Sequence, residues 1–304
     1  MNGRMKKFIH QTLRLLLFPL RRWRKISNNS RRIGYSRQQK ALQMKMIEDF
    51  KSDVKAGSPI KPLHDIRFKL FSQNNEDGIL LYIFSLIGTT NKKCVEIGCG
   101  YGTENNTANL IIHHDWFGLL IDAGQKQIEH AKGYFNSETK NRKNLPVMVN
   151  AHITRENINT IIEDHGFTGD IDLLSIDIDG VDYWIWKELD ACRPRVVVTE
   201  VQCIWGSKKL VTVPYHPHFE PGFIDGYGIY SGASLAAFNK LAVQKGYRFI
   251  GVENKGYNAF FLRNDIAPDL FPEIDLSIID EQPFVIWAKK EFYHLIKNKK
   301  WVEV

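Results

Sequence analysis

The chain has 304 residues, of which 43% are apolar, and this size suits one large α/β domain with appendages better than two full domains. Its net charge of +7 is uneven, because residues 1–47 hold 13 of the 41 Lys and Arg and no acid, which leaves 28 basic and 34 acidic residues from residue 48 onward. A body with a net charge of −6 argues against a nucleic-acid-binding face. The four cysteines form no Cys-x-x-Cys pair, so we expect reduced thiols and a cytoplasmic protein.

The N-terminal segment, residues 1–36, begins MNGRMKKFIHQTLRLLLFPLRRWRK and places apolar residues at helical spacing with basic residues on another side. Its most apolar run, residues 15–20, is far shorter than the roughly 20 residues that span a bilayer. A basic amphipathic helix of this kind is predicted to lie peripherally on an anionic membrane. A solvated tail and a targeting peptide remain open as alternatives.

Helical periodicity over residues 37–54 ends at Gly57-Ser58-Pro59, and a second helix is predicted to begin near residues 74–75. The chain then alternates predicted strands and helices. Strands are predicted at residues 93–97, 117–122, 146–150, 171–177, 195–201, 247–253 and 258–263, and helices at 106–114, 125–135, 155–165, 183–189 and 234–246. The last two strands are joined by a short connection, so the final strand is predicted to run antiparallel.

This order predicts an α/β fold with a Rossmann-like doubly wound, mostly parallel seven-stranded sheet and a final antiparallel strand. A parallel sheet closed by one antiparallel strand is the arrangement of class I methyltransferases. The predicted organisation is a basic amphipathic segment at 1–36, a helical extension at 37–90, a methyltransferase-like core at 91–263 with an acceptor loop at 203–231, and a C-terminal tail at 264–304.

The stretch VEIGCGYGTENNT, residues 95–107, follows the first core strand and contains Gly98, Gly100 and Gly102. Such glycines let the backbone turn tightly and approach a ligand. The third glycine comes one position too early for the dinucleotide pattern G-x-G-x-x-G, and Glu96 is a poor neighbour for a pyrophosphate. That carboxylate suits instead the ammonium and sulfonium of S-adenosylmethionine. Asn106, where the next helix is expected to begin, belongs to the same predicted cofactor set.

The next two strands end in polar residues at the same predicted edge of the sheet. Asp122 lies 20 residues after Gly102, where a carboxylate can accept both ribose hydroxyls of a nucleoside cofactor, although it could also cap the next helix. Asn150 and His152, after the third strand, either flank the adenine or have a structural role.

The fourth strand leads into LLSIDIDGVDYWIW, where Asp177, Asp179 and Asp182 fall within six residues. Close carboxylates repel one another unless a proton or a cation lies among them. A sulfonium, a substrate hydroxyl or a divalent cation such as Mg²⁺ would serve, and Asp177, Asp179 and Glu200 are the predicted ligands if a metal takes part. Asp177 is also predicted to bind the cofactor and is the first candidate for the general base, with His216 second. A turn and a helix cap would account for one or two of these carboxylates.

The motifs resemble those of one family. FSQNNEDGI (71–79), CVEIGCGYGTENNT, WFGLLIDAG, LLSIDIDG and GASLAAFNKLAVQKGYRFIGVENKGYNAFFLR are similar to the FkbM-like branch of S-adenosylmethionine-dependent methyltransferases, over roughly residues 70–263. The resemblance implies O-methylation of a sugar or polyketide hydroxyl. Asp179 stands where many relatives have Glu, and Glu200-Val201-Gln202 stands where an E-Y-N-like stretch is expected, and both departures concern the acceptor.

The loop at residues 203–231 is long and rich in aromatic residues, which is typical of a functional loop. We predict that the acceptor contacts Asp179, Trp205, Tyr215, His218 and Tyr230, although a lid that only covers the core would have the same composition.

The sequence therefore predicts an O-methyltransferase acting on a sugar hydroxyl of a glycan or lipid-linked saccharide at the membrane surface. The alternative is a non-catalytic, methyltransferase-like scaffold of a membrane-associated assembly. An NAD-dependent sugar enzyme is disfavoured by the glycine spacing and the missing Y-x-x-x-K pair. The oligomeric state is left open, and no nucleic-acid partner is expected.

Overall fold

The computed structural model describes residues 37–139 and 145–304. The predicted membrane-binding segment at 1–36 lies outside these residues. The chain divides into two compact units, Met1–Asp49 and Phe50–Val304. In the first unit, residues 37–49 are helical throughout and form α1. In the second unit, residues 50–55 are helical. None of the helices in the described residues is both long and apolar enough to cross a membrane.

The second unit alternates strands and helices along the chain. Its helices are α2 (Glu76–Ile87), α3 (Ala108–His114), α4 (Gln125–Glu138), α5 (Ile158–Asp164), α6 (Asp182–Glu188), α7 (Leu235–Gln244) and α8 (Pro283–Ile296). Its strands are β1 (Lys93–Ile97), β2 (Phe117–Asp122), β3 (Val147–Asn150), β4 (Gly169–Ile176), β5 (Cys192–Glu200), β6 (Val211–Thr212), β7 (Gly222–Ile224), β8 (Tyr227–Tyr230), β9 (Tyr247–Val252), β10 (Asn258–Arg263) and β11 (Val302–Glu303). Short 3₁₀ turns lie at Leu63–Asp65, Cys203–Trp205 and Leu276–Ile279.

Seven strands form the main sheet in the order β3-β2-β1-β4-β5-β10-β9. The first five strands pair in parallel, whereas β10 is antiparallel to both β5 and β9. The predicted Rossmann-like sheet with one antiparallel strand is therefore confirmed. The strand order reverses between β1 and β4, so the crevice at their carboxyl ends is where a sheet of this kind binds ligands.

Continuous apolar runs explain the central strands, because a parallel sheet covered on both faces buries every residue. Leu173, Leu174 and Ile176 of β4 are fully buried. Asp172 interrupts this run, but its carboxylate accepts hydrogen bonds from the backbone of residues 90–92 and pairs with Arg195 at 2.9 Å. This buried pair anchors the connection that leads into β1.

The predicted loop at 203–231 contains more regular structure than the sequence pattern indicated. Residues 222–230 form the β7–β8 hairpin, whose turn residues Asp225 and Gly226 both have positive φ, as a two-residue hairpin turn requires. β6 pairs with β11 at the end of the chain. Helix α8 packs on the Cys203–Trp205 turn and on β8, and its inner side joins the main core. Residues 264–304 thus help to build the side of the molecule that carries this hairpin.

Candidate active site

A cavity of about 400 Å³ lies at the carboxyl ends of β1, β2, β3 and β4. Two residues of the loop that follows β6, Pro217 and Phe219, border it. Its lining residues are Ile97, Gly98, Gly100, Ile121, Asp122, Ala123, Ala151, His152, Ile153, Asp177, Ile178, Asp179, Gly180, Val181, Pro217 and Phe219. The switch point of the sheet therefore holds a ligand-sized space with polar groups at its inner end.

The glycine loop after β1 packs directly against the end of β4. Gly98 has φ +91°, and a Cβ there would lie 1.7 Å from the carbonyl oxygen of Asp177, so no other residue fits. The Gly98 and Cys99 N–H groups both donate to the carbonyl of Ile121, at 2.9 and 3.1 Å. The loop is thereby fixed to β2 and β4, and it forms one wall of the cavity.

Asp122 connects this loop to the end of β2. Its carboxylate accepts the N–H of Gly100 and the N–H of Gly124, each at 2.8 Å. Each oxygen keeps a further lone pair on the cavity side, as acceptance of two ribose hydroxyls requires. The exposed Asn150 donates its amide to the carbonyls of Asp122 and Ala123. The structure thus brings Asp122 to the cavity and uses Asn150 to join the ends of β2 and β3.

Glu96 is buried beneath the loop, where its carboxylate holds the start of α3. One oxygen accepts the N–H of Asn106 at 2.8 Å, and the other accepts the N–H and hydroxyl of Thr107 at 2.8 and 2.5 Å. Burial raises the pKa of Glu96 to about 7. The Asn106 amide in turn donates to Ser175 on β4. Contact between Glu96 or Asn106 and a cofactor stays a prediction, while their observed role is to position the glycine loop.

Asp177, Asp179 and Glu200 form the acidic cluster, with one carboxylate oxygen of each lying within 4.8 Å of the others. Burial and the neighbouring carboxylates raise the pKa of Asp177 and of Glu200 well above their ordinary values, and burial raises the pKa of Asp179. No Lys or Arg lines the cavity among the residues that the structure describes. The acidic cluster therefore needs a proton or an external cation to offset its charge.

Asp182 has a different role from its neighbours. Its two oxygens accept the N–H groups of Ile178 and Gly180 at 2.8 and 2.9 Å, and they hold the turn that presents Asp177 and Asp179. In this turn Asp179 has φ +51°, a conformation that non-glycine residues seldom adopt. Each carboxylate of the acidic cluster offers an oxygen, the ligand type that Mg²⁺ prefers, and a metal among them stays a prediction.

The predicted acceptor residues are dispersed. The Tyr215 hydroxyl donates to Glu156 at 2.5 Å and accepts the N–H of Arg155, so it ties the loop over the cavity to the start of α5. Tyr230 donates to the carbonyl of Lys300. Trp205 packs edge-on against Tyr293 and Trp301. These three aromatic side chains thus fix loops and the C-terminal segment, and the structure does not bring them together at the cavity.

The two predicted histidines lie on the outside of the same loop. His216 and His218 are exposed, and the Nδ1 atom of His216 accepts the N–H of His218 at 3.1 Å. The ring of His218 stacks on His152, with 5.5 Å between centroids, and His152 also bonds to the carbonyl of Pro217. Asp177, by contrast, lines the cavity. The structure therefore separates the two candidate bases, and only Asp177 faces the ligand space.

Several cavity residues carried no sequence signal of their own. Phe219 and Pro217 cover the cavity from the loop, and Gly180 lies beneath the Phe219 ring, with space for no large side chain. The sequence did show a loop rich in prolines and aromatic residues after the fifth strand, and this composition was the available signal that the loop covers the cavity. Which of its aromatic residues faces inward depends on the tie between Tyr215 and α5, which the sequence pattern does not reveal.

No protein-family model matches the sequence, and no curated protein matches it either. Solved structures with a similar chain path include the O-methyltransferase from Bacillus cereus in complex with SAH, at 15% identity over 72% of this chain and 89% of that chain, with a TM-score of 0.40. Magnesium protoporphyrin IX methyltransferase from Synechocystis with bound SAM is 12% identical over 56% of this chain and 69% of that chain, with a TM-score of 0.34. A SAM-dependent methyltransferase from Aquifex aeolicus is 12% identical over 59% and 85%, with a TM-score of 0.35. Because these TM-scores lie below 0.5, the strand order of the sheet itself is the evidence for the fold.

Proposed function

We propose that the chain is an S-adenosylmethionine-dependent methyltransferase that methylates a hydroxyl group. The observation that carries this proposal is the acidic cluster, of which Asp177 and Asp179 line the same cavity as the glycine loop and Asp122. A sulfonium supplies the positive charge that the cluster lacks, and a ribose supplies the two hydroxyls that Asp122 can accept. An anionic dinucleotide would instead place its phosphates near uncompensated carboxylates.

The proposed reaction moves a methyl group from sulfur to oxygen in one displacement. S-adenosylmethionine supplies an electrophilic methyl group, and the products are a neutral thioether and a methyl ether. The Asp177 carboxylate accepts the hydroxyl proton as the new carbon–oxygen bond forms, and burial, which raises the pKa of Asp177, makes the carboxylate a stronger base. The rigid glycine loop and the turn held by Asp182 keep the reacting groups aligned.

A divalent cation is compatible with the same residues. Asp177, Asp179 and Glu200 would hold Mg²⁺, which would lower the pKa of an acceptor hydroxyl. In that arrangement the three carboxylates bind and orient, and the proton leaves to solvent or to a neighbouring carboxylate.

The proposed acceptor is a sugar hydroxyl in a glycan or lipid-linked saccharide at the cytoplasmic membrane surface. The family resemblance of residues 70–263 supports a sugar, and the basic segment at 1–36 supports a membrane location. The acidic cluster adds that the acceptor carries no negative charge next to its reacting hydroxyl, because such a charge would be repelled.

The proposal is tested by calorimetric titration of the full chain with S-adenosylmethionine, S-adenosylhomocysteine and NAD. Asp177→Asn keeps the shape of the side chain but removes its charge. Asp170→Asn is the matched control, because Asp170 lies at the opposite end of β4 from Asp177 and pairs with Arg193 and Arg263. Thermal unfolding of both variants verifies that they fold.

We expect micromolar binding of the first two ligands. Asp177→Asn should weaken the binding of S-adenosylmethionine by about tenfold or more, because only that ligand carries the cationic sulfonium. The same variant should change the affinity for S-adenosylhomocysteine much less. Asp170→Asn should leave both unchanged. Binding of NAD alone, or of no nucleoside ligand, would refute the proposal and favour the scaffold. An acceptor screen with neutral saccharides, read as S-adenosylhomocysteine production, then tests the sugar.

A further inference from the structure

A surface of exposed aromatic, aliphatic and basic side chains covers α8 and the β7–β8 hairpin. It comprises Ile286, Trp287, Lys290 and Tyr293 on α8, Lys297 directly after that helix, and Phe223 and Tyr227 on the hairpin. Ile286 is 56% exposed and Phe223 is 51% exposed, although both are large apolar residues. We call this set the α8 surface. Exposed apolar residues clustered in this way indicate an interaction site.

The two elements of the α8 surface are rigidly joined. The Tyr227 ring contacts Trp287 and Phe292, with centroids 5.3 and 5.5 Å apart. The opposite side of α8 is buried, because Val285 and Ile296 belong to the main core. The exposed face is therefore held in place without contributing to the packing of the core, and its composition needs another explanation.

The charge of this region differs from that of the rest of the body. Residues 289–300 contain five Lys and one Glu, whereas the chain from residue 48 onward has a net charge of −6. Lys289 pairs with Asp280. Within the described part of the chain, none of the other four lysines, at positions 290, 297, 299 and 300, pairs with a carboxylate. A basic patch thus surrounds the exposed apolar residues.

We propose that the α8 surface lies on an anionic lipid bilayer. Trp and Tyr favour the headgroup region, and lysine stems extend over apolar surface while their ammonium groups reach lipid phosphates. The exposed Ile286 beside these residues suits the boundary between headgroups and acyl chains. An aliphatic side chain at this position would not stabilise binding to a nucleic acid. A second copy is disfavoured, because a symmetric contact would bring two basic patches together.

The position of the α8 surface relates it to the candidate active site. Tyr227, Phe284 and Phe292 line a small cavity of about 30 Å³ that also reaches Glu200 of the acidic cluster. The α8 surface is therefore connected through this cavity to one carboxylate of the acidic cluster. The lipid contact itself does not depend on the chemistry of the active site, so it can be tested without a methyl acceptor.

The test uses the full chain with an environment-sensitive dye on one introduced cysteine. All four native cysteines are buried, so Ile286→Cys gives a single accessible thiol. Val243→Cys is the matched control, because Val243 is an apolar helical residue with the same 56% exposure. It lies on α7 near Lys245, which pairs with Asp190 at the amino end of β5. Vesicles contain either phosphatidylcholine alone or a mixture with phosphatidylglycerol.

We expect the dye at position 286 to shift to the blue and brighten with anionic vesicles only, while the dye at 243 stays unchanged. Lys290→Glu with Lys297→Glu should weaken this response about tenfold in lipid concentration, as should added salt. The local probe distinguishes the α8 surface from the basic segment at 1–36. The proposal would be overturned if the dye at 286 stayed unchanged or if the dyes at both sites changed equally. A response to RNA in place of vesicles would also overturn it, as would dimerisation that Ile286→Asp abolishes.

Discussion

Replacing Gly98 by alanine tests the view that the glycine loop is locked against β4. At φ +91° an L-residue costs about 1–2 kcal/mol relative to glycine. The new Cβ would also lie 1.7 Å from the carbonyl oxygen of Asp177, and this atom belongs to the backbone and cannot rotate away. Overpacking of this kind costs about 1–3 kcal/mol. The free energy of unfolding should therefore fall by roughly 2–5 kcal/mol.

Gly100→Ala is the matched control, because Gly100 also has positive φ (+54°) but a Cβ there would meet no atom within 4 Å. It should lose only about 1–2 kcal/mol. Thermal unfolding without ligand measures both, and a loss of 1 kcal/mol corresponds to roughly 2–4 °C for a domain of this size. Equal shifts for the two variants would contradict the close approach of the glycine loop to the end of β4.

Three further results are expected from the described contacts. The free energy of unfolding should fall as the pH rises from about 4.5 to about 7. In the folded protein the pKa of Glu96 is about 7 and that of Asp182 about 6, whereas both carboxyls ionise at lower pH when the chain is unfolded. Urea unfolding at several pH values checks this, and a free energy that does not change with pH would contradict it. Asp172→Asn should lower the free energy of unfolding by about 3–5 kcal/mol, because it leaves the largely buried Arg195 guanidinium without its counter-charge. Urea unfolding at neutral pH measures this, and a loss below about 1 kcal/mol would refute that reasoning. Tyr215→Phe should lower the free energy of unfolding by about 1 kcal/mol and speed proteolytic cleavage of the loop over the cavity. The variant keeps the packed ring but lacks the hydroxyl that bonds to Glu156. An unchanged rate of cleavage would argue against this bond as a tie.

The fold could be predicted because its main signals are local. Mostly apolar segments of four to nine residues locate β1 to β5, and the short connection between β9 and β10 determines that they are antiparallel. The Asp225-Gly226 turn was also a readable hairpin signal, but it lies within a loop rich in prolines and aromatic residues. The pairing of β6 with β11 has no local signal, because it joins two-residue strands far apart in the chain.

The candidate site was predictable in part for the same reason. Asp122 and Asp177 follow directly after strands, so topology alone brings them to one edge. Glu96 also follows this logic, but its carboxylate is engaged by the first turn of α3, which depends on how the loop folds back. The direction of Tyr215 depends on contacts with Arg155 and Glu156, just before α5, which arise only in the assembled fold.

The pairing of β11 with β6 also bears on the order in which the chain folds during synthesis. β1 to β5 follow one another in sequence, so they can begin to associate as they emerge from the ribosome. Trp301, next to β11, contacts both Trp205 and Tyr230 and is made well after both of them. The packing of the loop at 203–231 is therefore completed only after Trp301 and β11 have been synthesised. Until then its aromatic side chains are open to chaperones and to aggregation.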